Sequence, residues 1–469
     1  MLHHLKKTVS HDRIFVPVLV LLCGFLFFFN LGGLSLIETD EFIYTHIARE
    51  ILSTGDFLTL HLKGQNWFMH PPLFMWISAF FIYFLGLSEF SARIASAFFG
   101  LGGVLAVYYL GKNMFSKRDG FIAAIVLASS LQYIVQSRIA LFDGALVCFM
   151  TLSILFFWLG YKRQQSNFYL LSSLCMGLGT LTKGPVAALL PLLIIVPFIL
   201  LQGTWRQVLK DAQLRLSIPI YIAVGWWWYL LSFLLHGQVF FNEVIIHYHV
   251  FRYFGVIDHT GPWYYYFVVV AAGFLPWIIF LIPALFFLFQ KKFRAEEQFL
   301  LLGIVITFVF FSLAQTKLPG YILGLYPFLA LGVGKFINDR INNLWMRYFF
   351  VSLVLFMCLL IAFLMIYVAP QVDDARPYKS LSLRANELVH SDDFVGGYQL
   401  YQLGFDYYVI HPIVWFETPA KAAESLANTN QRIFILVPKS EFENFASHFS
   451  YLFYVLDEKA GVLIISNQL

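Results

Sequence analysis

Two adjacent carboxylates, Asp40 and Glu41, follow a long apolar run at 14–34. Isoleucines recur every fourth residue from 43 to 51, which predicts one apolar helix face, and Thr39 can cap the first turn. We predict an amphipathic helix at the membrane–water interface. A helix N-terminus favours an ionised Asp40, which suits a metal ligand or a group that takes a nucleophile's proton. The alternative is that the acids only cap the helix and complement its dipole.

Three further polar residues lie where predicted helices or apolar runs end. His70 precedes two prolines that stop any helix, and it could bind phosphate or metal, or merely be exposed. Arg138 and Asp143 lie between two apolar runs. They could pair at the membrane edge, or Asp143 could bind a metal or a sugar and Arg138 an anion.

Later segments add cations and histidines. Lys183 ends a predicted helix before Gly184-Pro185, where the helix dipole alone would favour it. Lys317 and Tyr321 flank a proline break. An aromatic-rich stretch, which could also be a simple interfacial loop, contains His247, His249, Arg252, Asp258 and His259. The candidate metal ligands are Asp40, Asp143, His249 and His259.

The composition predicts a polytopic α-helical membrane protein. Of 469 residues, 59% are hydrophobic and only 12% are charged, and several apolar runs approach the roughly 20 residues that cross a bilayer. The net charge of +4 is too small to indicate nucleic-acid binding. The predicted spans are 14–34, 89–111, 119–137, 142–161, 167–183, 185–202, 214–235, 264–289, 297–314, 320–336 and 344–369.

Positive charge retained on the cytoplasmic side sets the predicted topology. The basic clusters stand near residues 6–13, 112–118, 162–163, 206–215, 291–294 and 335–340. The apolar segment 71–87 must then begin and end outside, and we predict a dipping or interfacial helix pair there; the alternative is a full crossing. The remaining polar residues collect on the outer face, whereas a transporter is expected to carry ionisable groups within its spans.

The chain divides by composition near residue 371. Residues 1–370 form the predicted membrane domain, with a first outer loop at 35–88. Residues 371–469 alternate short strand-like and helical segments, which predicts a small α/β domain, outside by parity.

The segment 36–50 resembles a motif of the bacterial lipid-linked-sugar glycosyltransferases, which include the lipid A aminoarabinose transferase and, more remotely, the protein O-mannosyltransferases. These enzymes have the GT-C architecture. Supporting motifs follow in family order: His70-Pro71-Pro72-Leu73, Ser137 to Asp143, Leu181 to Pro185, His249 to Arg252, Gly261 to Tyr265, Gly273 to Trp277 and Lys317 to Tyr321. The resemblance implies about 11–13 transmembrane helices with interfacial juxtamembrane helices.

The resemblance also implies roles. Asp40 would orient or deprotonate the acceptor hydroxyl with Glu41 beside it. Arg252 and Tyr321, with Lys317, would hold the donor phosphate. The aminoarabinose transferases carry Lys before the paired prolines, where this chain has His70.

The implied reaction moves a sugar from a polyprenyl-phosphate donor to lipid A, a glycan or a protein. It inverts the anomeric carbon at the outer face of a bacterial inner membrane. A divalent metal could bridge carboxylate and phosphate. The alternative function is a transporter or flippase of lipid-linked sugars.

Overall fold

The computed structural model describes residues 2–37, 39–251, 255, 260–290, 294–340, 343–427 and 431–468, with the backbone alone for 2–12, 249, 250 and 290. The chain forms two compact units. The first comprises Met1–Leu31 and Ile47–Ile361, and the second comprises Gly32–His46 and Ala362–Leu469. The second unit thus includes residues 32–46, which come before most of the membrane domain in the chain. Composition alone predicts a single division near residue 371.

The first unit is almost entirely helical. Its helices are α1 (Leu2–Cys23), the end of α2 (Thr39–Thr54), α3 (Leu73–Leu85), α4 (Glu89–Met114), α5 (Lys117–Ala128), α6 (Leu131–Arg138), α7 (Asp143–Arg163), α8 (Ser166–Lys183), α9 (Val186–Leu201), α10 (Trp205–Asp211), α11 (Leu214–Gly225), α12 (Trp227–Phe240), α13 (Tyr265–Gly273), α14 (Ile278–Gln290), α15 (Ala295–Leu313), α16 (Tyr326–Arg340) and α17 (Leu344–Phe363). A hairpin, β1 (His61–Leu62) with β2 (Gln65–Asn66), follows α2. Tighter or wider helical turns occupy Gly24–Phe28 and Phe241–Phe251 (π) and Pro319–Leu325 (3₁₀).

Six helices within the described residues are long and apolar enough to cross a membrane, and up to eight if each of two bent pairs is one span. Four further apolar helices are shorter. The predicted polytopic helical architecture is confirmed. The eleven predicted spans are reached if both bent pairs and the three shorter helices other than α3 cross, since 8 and 3 make 11.

The segment 71–87 differs from its prediction. It forms one helix, α3, of 13 residues rather than a pair. Thirteen residues extend about 20 Å, which is shorter than the roughly 30 Å of a bilayer core. The prediction of a helix pair is wrong, and the length of α3 agrees with a segment that does not cross.

Two broken helices meet at their breaks. The α5–α6 pair bends by 65° and the α13–α14 pair by 114°. The amide of Leu131 donates to the carbonyl of Leu275 at 2.9 Å, and the indole of Trp277 donates to the Ser129 hydroxyl at 3.1 Å. Since a broken helix leaves backbone groups without intrahelical partners, each break supplies partners to the other and holds the end of α6 in place.

The second unit contains a five-stranded mixed sheet. Its elements after the membrane segment are α18 (Ala369–Asp374), α19 (Pro377–Leu388), β3 (Phe394–Tyr398), α20 (Gln402–Tyr408), β4 (Val414–Phe416), α21 (Pro419–Leu426), β5 (Ile433–Pro438), α22 (Phe442–Ala446), β6 (Tyr454–Lys459) and β7 (Val462–Ser466). The strand order is β4-β3-β5-β7-β6, with β3 parallel to β4 and β5 and the other pairs antiparallel. The predicted α/β domain is confirmed, and α20 is a helix that the sequence pattern does not reveal.

Candidate functional site

An ion pair joins the start of α7 to the end of α8. The two helices are consecutive, antiparallel and packed together, so Asp143 and Lys183 lie at the same end of the hairpin. The Lys183 ammonium contacts the Asp143 carboxylate, and each side chain is only 12% exposed. A helix N-terminus favours the anion and a C-terminus the cation, so both dipoles support this pair.

Two aromatic rings enclose the Lys183 ammonium. Its nitrogen lies 5.0 Å from the ring centre of Phe142 and 4.8 Å from that of Tyr321, within range of cation–π attraction. On the same 3₁₀ turn, a Cβ added to Gly320 would lie 3.2 Å from the Asp143 carboxyl carbon. The turn therefore approaches the carboxylate so closely that a side chain at residue 320 would require a shift of a few tenths of an ångström.

His70 completes this group from the loop before α3. Its ring packs edge-on against Phe142 at 4.3 Å, and its Nε2 lies 3.1 Å from the hydroxyl of Tyr248. His70 is only 6% exposed. We call the set the Asp143 cluster; its members are His70, Phe142, Asp143, Lys183, Tyr248 and Tyr321.

The predicted site residues His70, Asp143, Lys183 and Tyr321 thus come together from four separate segments. Phe142 and Tyr248 are members that sequence reasoning missed. Their aromatic character is too common in this chain to mark them.

Lys317 lies on the segment that leads into Tyr321. It is buried, and its ammonium donates to the carbonyl of Ala314 at 2.7 Å. The amide of Gln132 on α6 donates to the carbonyl of Pro319 at 2.5 Å, and the Tyr326 hydroxyl donates to the same Gln132 side chain. Gln132, which the sequence analysis does not single out, therefore fastens the Lys317–Tyr321 segment.

Arg138 binds backbone carbonyls, which the sequence analysis does not predict. Its guanidinium donates to the carbonyls of Leu26 at 3.0 Å, Phe29 at 2.8 Å and Asn30 at 3.5 Å, where α1 has ended. Asp143 pairs with Lys183, so the suggested Arg138–Asp143 pair is wrong. Arg138 satisfies backbone carbonyls that a helix end leaves open.

Asp40 and Glu41 belong to the second unit. Asp40 is exposed on the first turn of α2, whereas Glu41 is fully buried and accepts a hydrogen bond from the amide of Ile37 at 2.9 Å. Burial chiefly raises the pKa of Tyr401, and the negative charge of Asp40 raises it further. Glu41 thus acts as a cap of its own helix, and Asp40 is the carboxylate that faces solvent.

Arg252, His259 and the side chain of His249 lie outside the described residues. Within the part of the chain that is described, no three His, Cys, Asp or Glu side chains group as metal ligands. The metal set Asp40, Asp143, His249 and His259 stays a prediction.

An apolar cavity of about 830 Å³ opens between α11, α12 and the π segment, with Ala223, Tyr229 and Phe240 in its wall. Tyr229 and Phe240 also pack in one cluster with Phe68 and Leu181. These two residues stand two positions before His70 and Lys183. The π segment contributes Phe241 and Ile245 to the cavity wall and Tyr248 to the Asp143 cluster. The volume of the cavity is typical of ligand pockets.

Comparison with known proteins shows which fold the chain has. The model of the dolichyl-phosphate-mannose-protein mannosyltransferase family matches residues 69–229. The structure superimposes with a TM-score of 0.79 on ArnT from Cupriavidus metallidurans bound to undecaprenyl phosphate, at 20% identity, covering 98% of each chain. The protein has the GT-C glycosyltransferase fold.

The GT-C chain is also similar in sequence to two relatives. It is 29% identical to undecaprenyl phosphate-alpha-4-amino-4-deoxy-L-arabinose arabinosyl transferase 2 of Pseudomonas fluorescens over 72% of this chain and 58% of that enzyme. It is 28% identical to an uncharacterized protein of Aquifex aeolicus over 73% of this chain and 67% of the other. The chain therefore spans less than two thirds of the arabinosyl transferase. The predicted resemblance is confirmed, and the GT-C chain is a multi-pass membrane protein.

Proposed function

We propose that this GT-C protein transfers a sugar from a polyprenyl-phosphate donor to a lipid, glycan or protein acceptor. One observation carries the proposal: four segments distant in the chain bring His70, Asp143, Lys183 and Tyr321 together. The π segment that contacts His70 through Tyr248 also lines a large apolar cavity. Cations and hydroxyls suit a phosphate, and the cavity suits a prenyl chain. The undecaprenyl phosphate bound to the ArnT structure is of this ligand class.

The transfer is a single displacement. An acceptor hydroxyl oxygen forms a bond to the anomeric carbon while the bond from that carbon to the phosphate oxygen breaks, which inverts the configuration. The hydroxyl proton passes to the Asp40 carboxylate, and the electron pair leaves with the polyprenyl phosphate. Because phosphate is already a good leaving group, the site needs mainly to orient the acceptor and stabilise negative charge.

The cations have distinct parts in this mechanism. Without donor, Asp143 neutralises Lys183 within a nearly buried site. The donor phosphate competes for this ammonium, with Tyr321 and His70 as hydrogen-bonding neighbours. Lys317 and, by the family resemblance, Arg252 are further candidates for binding the donor phosphate. The Arg138 guanidinium already donates to the carbonyls of Leu26, Phe29 and Asn30.

A divalent metal fits the described residues poorly. The carboxylate of Asp143 is occupied by an ammonium, and bringing a cation next to Lys183 would be repulsive. No step of the proposed mechanism therefore passes through a metal.

The proposed location is a bacterial inner membrane, with the Asp143 cluster and the second unit on the outer side. The positive-inside distribution supports it. Cysteine labelling at Lys117 and His259 tests it, since labelling of both from one side would contradict this topology.

The alternative, a transporter or flippase of lipid-linked sugars, is less well supported. The Pseudomonas fluorescens relative is named an arabinosyl transferase, and the solved structure is ArnT bound to undecaprenyl phosphate. The Asp143 cluster also stands at helix ends, whereas coupling sites of transporters usually lie near the bilayer midplane.

The test is a transfer assay with purified protein, polyprenyl-phosphate sugars and candidate acceptors. We expect wild-type protein to release polyprenyl phosphate in step with product. Asp40→Asn should lower kcat by about 100-fold or more, the range of a lost general base, while donor binding persists. Unaltered transfer by Asp40→Asn would contradict the assignment of the base, and absence of transfer with donor uptake into vesicles would favour the transporter.

A further inference from the structure

Three successive amides before α2 are each held by a side chain. The amide of Ser35 donates to both carboxylate oxygens of Asp373, at 2.9 and 3.1 Å, and its hydroxyl donates to the same carboxylate at 2.5 Å. The next amide, of Leu36, donates to the hydroxyl of Tyr408 at 3.0 Å. The third, of Ile37, donates to Glu41. Two of the three acceptors come from the C-terminal region.

A second contact fixes the first turns of α2. The ring of Phe42 is 2% exposed and stands edge-on to four tyrosine rings at 5.8 to 6.4 Å. These are Tyr378, Tyr401, Tyr407 and Tyr408. Edge-to-face aromatic pairs add to the free energy of burial, so Phe42 anchors the turn on which Asp40 stands.

A third contact lies one turn further along. Nε2 of His46 is 3.0 Å from the carbonyl oxygen of Leu403 on α20. Because a carbonyl only accepts, this nitrogen carries the proton. Asp40 thus stands between hydrogen bonds at residues 35–37 and at 46, all within the second unit.

We propose that the C-terminal region, 362–469, positions the carboxylate of Asp40, with Asp373 and Tyr408 as positioning residues. This inference rests on the proposed function, in which Asp40 takes the acceptor proton. Packing alone does not require that separate side chains hold three consecutive backbone amides. A catalytic base needs a fixed backbone, and these hydrogen bonds would fix the backbone before Asp40.

The test compares Asp373→Asn and Tyr408→Phe with a matched control, Asp374→Asn. Asp374 is the next residue; its side chain is 80% exposed and forms an ion pair with Lys459 at 3.3 Å. Tyr408→Phe keeps the ring against Phe42 and removes the hydroxyl that accepts from the Leu36 amide. We expect kcat to fall about 10- to 100-fold for the two positioning variants, with donor affinity unchanged, and no change for Asp374→Asn.

A double variant separates positioning from a general loss of folding. If Asp373 acts through Asp40, then Asp373→Asn should lower the rate of wild-type protein but not the residual rate of Asp40→Asn. Hydrogen exchange at amides 35–37 should speed up in both positioning variants while the melting temperature stays constant. A loss that adds fully to that of Asp40→Asn, or an unchanged rate with faster exchange, would overturn the inference.

The inference and the proposed function fail in different ways. If the wild type transfers no sugar, or if Asp40→Asn transfers normally, the proposed function fails. If Asp40→Asn is inactive while Asp373→Asn and Tyr408→Phe turn over normally, only the positioning role fails.

Discussion

Lys183 and Asp143, forty residues apart in the chain, form an ion pair at the common end of α7 and α8. The pair has little solvent around it and is flanked by the rings of Phe142 and Tyr321. A paired charge is stable in such a site, but removal of one partner leaves the other uncompensated. The pair can therefore support the fold when the donor is absent and supply a cation when it is bound.

Removing one partner of the Asp143–Lys183 pair should have a different effect on stability than replacing both partners with apolar residues. We expect Lys183→Met or Asp143→Leu alone to lower the free energy of unfolding by about 3 kcal/mol, because one buried charge is left unpaired. The double variant should recover most of this stability, since two apolar side chains fill the same space, yet remain unable to bind donor. Thermal unfolding in detergent and donor-binding titrations measure the two effects. A double variant as unstable as the singles would show that the ion pair itself holds the helices.

Gly320 should be sensitive to a single added methyl group. A Cβ at this position meets the Asp143 carboxyl group at 3.2 to 3.3 Å, so the turn or the ion pair must shift by a few tenths of an ångström. We expect Gly320→Ala to lower kcat/KM by about 10-fold. Gly324→Ala is the matched control on the same turn, because its nearest neighbours lie at 3.6 Å and 4.0 Å, which is ordinary contact. Equal effects of the two substitutions would show that the turn tolerates no Cβ for reasons unrelated to Asp143.

Arg138 offers a test between anion binding and carbonyl binding. A lysine keeps the positive charge but cannot reach three carbonyls with one planar group. We expect Arg138→Lys to lose stability nearly as much as Arg138→Gln, about 1–3 kcal/mol for buried acceptors left open. Donor affinity measured at a temperature where both variants are folded should stay unchanged. An affinity lost in Arg138→Gln and retained in Arg138→Lys would restore the anion site.

The sequence identifies most members of the site but not their partners. Asp143 and Lys183 each stand at a predicted helix end, and the charge rule places both on one face. The pairing depends on α7 and α8 being antiparallel neighbours, whereas sequence proximity favoured Arg138 as the partner of Asp143. One feature of the sequence could have identified Gln132: its side-chain amide lies within an apolar run. A polar group in a membrane span costs free energy and is usually retained for a function.

The second unit shows the same limit. Alternating short segments predict its strands well, because turn residues bound the strands and β3, β5 and β7 are buried in the sheet. Helix α20 is only seven residues long, includes Gly404 and lacks a helical period, so no local pattern marks it. Its contacts with residues 35–46 join segments more than 350 positions apart, which a pattern within one window does not reveal.

The apolar cavity should determine how long a prenyl chain the protein prefers. Ala223 on α11 lines this cavity, so Ala223→Trp should fill part of it with an indole ring. We expect KM for a long-chain polyprenyl donor to rise about 10-fold, as for the loss of one or two buried contacts, while a short-chain analogue is used as before. Ile218→Trp on the same helix is the control, because Ile218 is half exposed and is not among the lining residues. Equal losses with long and short donors would place the prenyl chain elsewhere.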